Sequence, residues 1–329
     1  MEATGDQVIR TRVADLLSIE YPLLQGGMLW LADARLAAAV SNAGALGVIS
    51  PLAGMEPHGD RIKNLRAQIN RARELTAKPF GVNIPLDLPQ SGEMIDALLR
   101  EKVGVVITAA GDPRSYTELL RQEGIRVLHV VSSVKQAQTA ASAGVDGLIA
   151  EGIEAAGHDG FDEMPLFALL PQVVDAVSLP VIAAGGIADA RGWMAATALG
   201  AEGVQLGTRF VATEECLASP KYKQAIIETT DTDTVITCRR LIPTRSLKTE
   251  FSRRLLALEK GGASAEVLRE FLGYSRARKG QLEGNFAEGE AYCGAAAGLI
   301  REILPAAEVI RRMVQGYREI LQRFASAGS

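Results

Sequence analysis

Along the first two-thirds of the chain, apolar and polar positions fall into a repeating beat. Eight short apolar runs rich in β-branched residues occupy 22–27, 45–50, 79–84, 103–110, 125–131, 145–152, 180–187 and 203–210. Their starts lie 23, 34, 24, 22, 20, 35 and 23 residues apart. Between them lie segments with helical spacing, such as 33–44, 114–124 and 133–144, each stopped by a glycine, the usual C-terminal signal. That spacing is what repeated βα units require. The runs are continuously apolar rather than alternating, as strands covered on both faces must be. Eight runs without a ninth predict an α/β fold, a closed (β/α)8 TIM barrel. An open doubly wound sheet is the alternative, since counting does not establish closure.

After residue 213 the beat stops. Residues 214–300 read as helices with longer loops, and residues 308–324 as an amphipathic helix. The expected organisation is a barrel over 1–213 and a smaller helical cap over 214–300 packed over one end of the barrel. A C-terminal helix within 301–329 packs back on the barrel. Its apolar face serves equally for a homodimer contact.

Composition narrows the class. The chain has 329 residues, 47% hydrophobic and 22% charged, near the globular averages of about 45–50% and about 25%, which excludes a disordered chain. A net charge of −4 argues against a dedicated nucleic-acid binder. The three cysteines, Cys216, Cys238 and Cys293, show no CxxC spacing, so a reducing cytoplasmic location is expected. The first residues carry no apolar run of the signal-peptide kind. Apolar stretches such as 180–188 fall far short of the roughly 20 residues that span a bilayer, so no membrane partner is expected.

In a barrel, chemistry gathers at the C-terminal ends of the strands. Those points carry Gln25-Gly26-Gly27-Met28, Asn83, Thr108-Ala109-Ala110-Gly111, His129, the stretch from Glu151 through Gly157 and His158 to Gly160, Ala184-Gly185-Gly186, and Gly207-Thr208. Glycines after the seventh and eighth runs let backbone N–H groups approach a phosphate, at the usual phosphate position of such barrels. The phosphate belongs to a phosphorylated metabolite or to FMN. His158 stands between glycines just past the sixth run, where a neutral imidazole serves as acid or base. His58 falls in a connection and His129 reads as a pocket wall. Asp159, Asp162 and Glu163 lack metal-ligand spacing and read as a solvated loop. Arg239, Arg240, Arg245, Lys248, Arg253 and Arg254 read by default as a charged helix face, with a nucleotide phosphate or an acyl-carrier partner as the functional alternative. GxGxxG, P-loop, GxSxG and HExxH motifs do not occur, which removes the chemistries they serve.

The blocks YPLLQGGM (21–28), LAAAVSNAGALGVIS (36–50), PFGVNI, AEGIEAAGHDG, PVIAAGGIAD and GVQLGTRF resemble the FMN-dependent nitronate monooxygenase family. That family was formerly called the 2-nitropropane dioxygenases, and includes enoyl-acyl-carrier-protein reductases II and NADH:quinone reductases. The resemblance spans nearly the whole chain. It implies FMN contacts from Gly26, Gly27, Met28, Asn83, Thr108, Ala109, Glu151, Gly157 and Ala184. It implies phosphate contacts from Gly185, Gly186, Gly207 and Thr208, and an acid–base role for His158 over the flavin ring. Two departures mix the branches. Val130 stands where the quinone reductases carry lysine, and Ala156 precedes Gly157 where the enoyl reductases carry a second glycine.

The resemblance implies an oxidoreductase that oxidises alkyl nitronates with O2. The alternative enzyme is an NAD(P)H-dependent reductase of enoyl thioesters or quinones, with acyl carrier protein as partner in the thioester case. A non-catalytic barrel that binds FMN or another phosphorylated ligand is the alternative outside enzymes.

Overall fold

The computed structural model describes residues 9–327. Each of the eight apolar runs contains one strand. In chain order these are β1 (Leu23–Gln25), β2 (Gly47–Ile49), β3 (Phe80–Pro85), β4 (Val105–Ala109), β5 (Arg126–Val131) and β6 (Gly147–Glu151). A two-residue strand, β7 (Gly157–His158), intervenes before β8 (Val181–Ala184) and β9 (Gly203–Leu206). The eight longer strands form one parallel sheet in the order β1-β9-β8-β6-β5-β4-β3-β2. Its two edges meet through a parallel bridge between Leu24 and Leu46. There Leu46 N–H donates to the Leu23 carbonyl and Gln25 N–H to the Leu46 carbonyl, both at 2.9 Å. The sheet is thus a (β/α)8 barrel. Its connecting helices start on side-chain caps: Asp33, Asp60 and Ser133 each accept a hydrogen bond from a first-turn N–H, which satisfies a donor the helix cannot.

Two apolar layers hold the barrel. The outer layer joins strands to helices. The inner one fills the barrel with Leu24, Leu46, Val48, Val105, Ile107, Leu128, Ile149 and Ile182. Val13 and Leu17 belong to this inner cluster and come from the short helix Arg12–Leu17. That helix plugs the N-terminal end, so the barrel opens only at its C-terminal end.

The segment 214–300, read from sequence as helices and loops, contains a β-ribbon as well. Strands β10 (Thr234–Thr237) and β11 (Thr244–Leu247) pair antiparallel, and β11 also pairs with β7. The sequences TVIT and TRSL hold threonine and β-branched residues that suit a half-covered ribbon. The helices Pro220–Glu228, Glu250–Lys260, Ala265–Leu272 and Arg276–Gln281 surround it. The helix Ala306–Ala327 returns to the barrel, where Tyr317 lies 4.3 Å, ring to ring, from Trp193 on the helix Ala190–Ala198. Among the described residues, no helix is long and apolar enough to cross a membrane.

Candidate active site

A cavity of about 910 Å³ opens at the C-terminal end of the barrel, between the strand ends and the 214–300 segment. Strand register decides which side chains reach it. Asn83 pairs with Ile107 and Glu151 with Ala184, and all four line the cavity, whereas Thr108 pairs with His129 one position further along β4 and points to the other face. The Asn83 amide donates to the Ile107 carbonyl at 3.1 Å and is nearly covered. A Cβ on Gly27 would fall 2.3 Å from Asn83 Oδ1. Only glycine lets the turn after β1 approach Asn83 of β3 this closely. Met28 N–H donates to Ser50 Oγ at 2.9 Å, which fixes the turn out of β1.

The loop after β6 is tied at every step. Glu154 accepts the Leu166 N–H with both carboxylate oxygens, at 3.1 and 2.9 Å. Arg245 Nε donates to the Ile153 carbonyl, and Ala295 N–H to the Glu154 carbonyl, each at 2.9 Å. Gly157 and His158 then join β11 opposite Arg245 and Thr244. The 214–300 segment therefore fixes His158 through its backbone. Across the cavity, Gly185 and Gly186 adopt φ of +89° and +71°. A Cβ on Gly207 would meet nothing within 4 Å. Gly294 N–H donates to Thr208 Oγ1 at 3.0 Å, which carries the 294–300 segment across that side.

Burial sets the charge state of the titratable groups. It holds the His158 imidazole below its ordinary range, opposed by Asp87, so the ring is neutral at pH 7. His129 is pushed down to about 4 by burial, with Nδ1 2.7 Å from Thr108 Oγ1. Burial raises Glu151 to about 7. Asp159 rises to about 9, through burial first and then the Glu151 charge, with Arg245 opposing.

The structure brings Gly26, Gly27, Met28, Asn83, Ala109, Glu151, Gly157, His158, Ala184, Gly185, Gly186, Gly207 and Thr208 to the lining of one cavity. Thr108 lies behind that lining, buried against His129. His58 is elsewhere, stacked on Tyr274 at 5.5 Å. Two expectations are corrected. Asp159 is not solvated: it is 7% exposed, and neither carboxylate oxygen has a partner. Its N–H is spent on the Pro243 carbonyl, which draws the side chain inward. The basic residues do not form one helix face. Arg239 pairs with Glu163 at 2.6 Å, Arg240 donates to the Ala263 carbonyl, Lys248 donates to the Thr232 carbonyl, and Arg254 lies over the Phe271 ring.

Gln205 and Tyr292 line the cavity and were not singled out in the sequence. Gln205 carries a signal, a polar residue inside the apolar run GVQLG. Tyr292 carries none, because its loop has no periodicity. Gln205 Oε1 is buried without a partner beneath Gly26. An orphaned acceptor, glycine-lined walls and an open Gly207 position fit a flat, phosphate-tailed cofactor.

A family model described as nitronate monooxygenase matches residues 10–97 and 90–316. A Mycobacterium tuberculosis protein named (3aS,4S,5R,7aS)-5-hydroxy-7a-methyl-1-oxo-octahydro-1H-indene-4-carboxyl-CoA dehydrogenase is 37% identical, over 79% of this chain and 72% of its own length. A probable nitronate monooxygenase of Staphylococcus aureus is 35% identical, over 69% of this chain and 75% of its own. The solved structure of FabK from Thermotoga maritima superimposes with a TM-score of 0.90 at 42% identity, covering 97% of this chain and 99% of that one.

Proposed function

Because this chain belongs to the nitronate monooxygenase family and is an oxidoreductase, we propose that it binds FMN in the barrel cavity and oxidises alkyl nitronates with O2. The observation that carries the reading is the placement of His158 on the wall of a cavity that the glycine-rich strand ends also line.

Gly185, Gly186, Gly207 and the Thr208 backbone would hold the phosphate, and Gly27, Asn83, Ala109 and Gln205 the ring. A bound flavin supplies the two-electron redox chemistry. The chain's own residues bind, orient and move protons. His158, neutral at pH 7, takes a proton from the carbon next to a nitro group or holds the resulting nitronate. Asp87 is the carboxylate whose charge favours the imidazolium so formed. Glu151, whose carboxyl burial raises to about 7, supplies a second titrating group at the rim.

A second reading, a reductase of acyl thioesters driven by NAD(P)H, draws support from the M. tuberculosis relative, whose named substrate is a coenzyme A thioester. The cavity also extends past the strand ends to Ser132, Ser133, Lys135 and Thr139, more room than a small nitronate fills.

The anaerobic visible spectrum separates the two. Rapid bleaching of the flavin band by a nitronate, with no bleaching by NADH or NADPH, is expected. Bleaching by a nicotinamide nucleotide would transfer the assignment to the reductase. A protein that takes up no FMN would overturn both.

A further inference from the structure

The β11 edge aligns three residues from two distant loops. Thr244 faces His158, Arg245 faces Gly157, and Ser246 faces Tyr292. Positions two apart on a strand share a face, so their partners His158 and Tyr292 stand on the same side of the ribbon. Gly157 lies between them and contributes no side chain. A Cβ there would come within 3.3 Å of the Tyr292 ring, on a backbone with φ +85°. The gap lets the Tyr292 ring lie over Gly157 against the imidazole, with centroids 5.9 Å apart at 53°.

Tyr292 is itself pinned. Its hydroxyl donates to Glu290 Oε2 at 3.1 Å, and its carbonyl accepts the Tyr222 hydroxyl. Glu290 is 7% exposed, with its N–H donated to the Arg276 carbonyl at 3.0 Å. A Cβ on the neighbouring Gly280 would lie 2.1 Å from the Glu290 carbonyl oxygen, so the segment has no slack.

We propose that Tyr292, tied through its hydroxyl to Glu290, is a positioning residue that sets where the His158 imidazole stands. This rests on the reading of His158 as the acid–base group. The arrangement also makes the position of His158 depend on pH. Burial raises Glu290 to about 7, while the Tyr292 hydroxyl and Arg276 favour its ionised form. The other titratable groups around the pair are the Cys238 thiol, raised to about 12, and the Tyr222 hydroxyl, also raised. Both stay neutral at working pH. As pH falls through about 7, Glu290 takes up a proton. The charge-assisted bond to Tyr292 becomes an ordinary one, and the wall behind His158 loosens.

The test uses the full chain loaded with FMN. With three histidines in the sequence, the imidazole Cε1–H resonance of His158 can be identified by its loss in His158→Ala. In the unsubstituted protein this resonance should show an inflection near pH 7, set by Glu290. Glu290→Gln and Tyr292→Phe should each abolish that inflection while keeping full flavin content. Tyr292→Ala should lower kcat on propyl-2-nitronate roughly ten- to hundredfold, with KM changed far less, the loss expected from a misplaced acid–base group. An inflection that persists unchanged in Glu290→Gln and Tyr292→Phe would overturn the proposal and assign that titration to Glu151. So would normal kcat in Tyr292→Ala. If no nitronate turns over in the unsubstituted protein, the functional reading fails, yet the resonance still reports on the positioning.

Discussion

The side-chain amide of Gln25 pairs with the backbone of Val48 in both directions: its Nε2 donates to the Val48 carbonyl at 2.9 Å, and its Oε1 accepts the Val48 N–H at 3.0 Å. β1 and β2 share only one isolated bridge, so the side chain supplies the hydrogen bonds that a longer ladder would have made. Gln25 is fully buried. Gln25→Leu would take this partner from three buried backbone groups, the Val48 N–H and the carbonyls of Val48 and Gly26, each worth about 1–3 kcal/mol. The expected result is a loss of roughly 3 kcal/mol of stability or more, read as a lower urea midpoint with unchanged slope. A midpoint equal to that of the unsubstituted protein would show that the barrel does not need this seam.

Gly207 tests the phosphate position more cleanly than its neighbours. A side chain there meets nothing within 4 Å, and the backbone has φ −102°, which any residue tolerates. Gly207→Asp should therefore fold normally and purify colourless, because its carboxylate would occupy the place proposed for the phosphate. Gly185→Asp should also lose flavin but through two effects, since its Cβ would lie 2.8 Å from the Gly152 carbonyl on a backbone with φ +89°. A Gly207→Asp protein with full flavin content would remove Gly207 from the phosphate site.

His158→Ala should keep flavin and lose turnover by roughly 10²–10⁴-fold, the usual contribution of a positioned acid–base group. The ring makes no hydrogen bond on which the fold depends, and β7 is held through its backbone. The melting temperature should accordingly stay close to that of the unsubstituted protein. Unchanged kcat/KM in stopped-flow assays would remove His158 from the chemistry.

The barrel was legible because parallel strands buried on both faces must be continuously apolar, and nothing else in the chain mimics that run. His158 stood out because it follows such a run between glycines. The ribbon was hidden for a physical reason. Between Thr234–Thr237 and Thr244–Leu247 lie Arg239, Arg240 and Pro243, and the charges read as a helix face, while Thr244 and Arg245 of β11 also pair with the distant β7. Asp159 looked like part of a solvated acidic loop, because the segment it docks on, through its N–H to the Pro243 carbonyl, lies far along the chain. Gln25 read as the start of a functional QGG turn, although its amide closes the barrel. Tyr292 reaches His158 only through strand register, which no local pattern encodes.

Asp159 makes stability depend on pH in an unusual direction. Burial raises its carboxyl to about 9, reinforced by Glu151, Glu154 and Glu163 and opposed by Arg245, whereas an unfolded aspartate titrates near about 3.9. Between these limits the folded chain keeps a proton that the unfolded chain has released. Stability from this group is complete below about pH 4 and falls by roughly 1.4 kcal/mol per pH unit as pH rises toward about 9. Asp159→Asn removes the titrating group while preserving shape. The stability of this variant relative to the unsubstituted protein should rise steadily between pH 5 and pH 8, by up to roughly 1.4 kcal/mol per unit. Urea titrations at several pH values measure that difference directly. A difference that stays constant with pH would mean that Asp159 is ionised in the folded protein, and that Arg245 outweighs its burial.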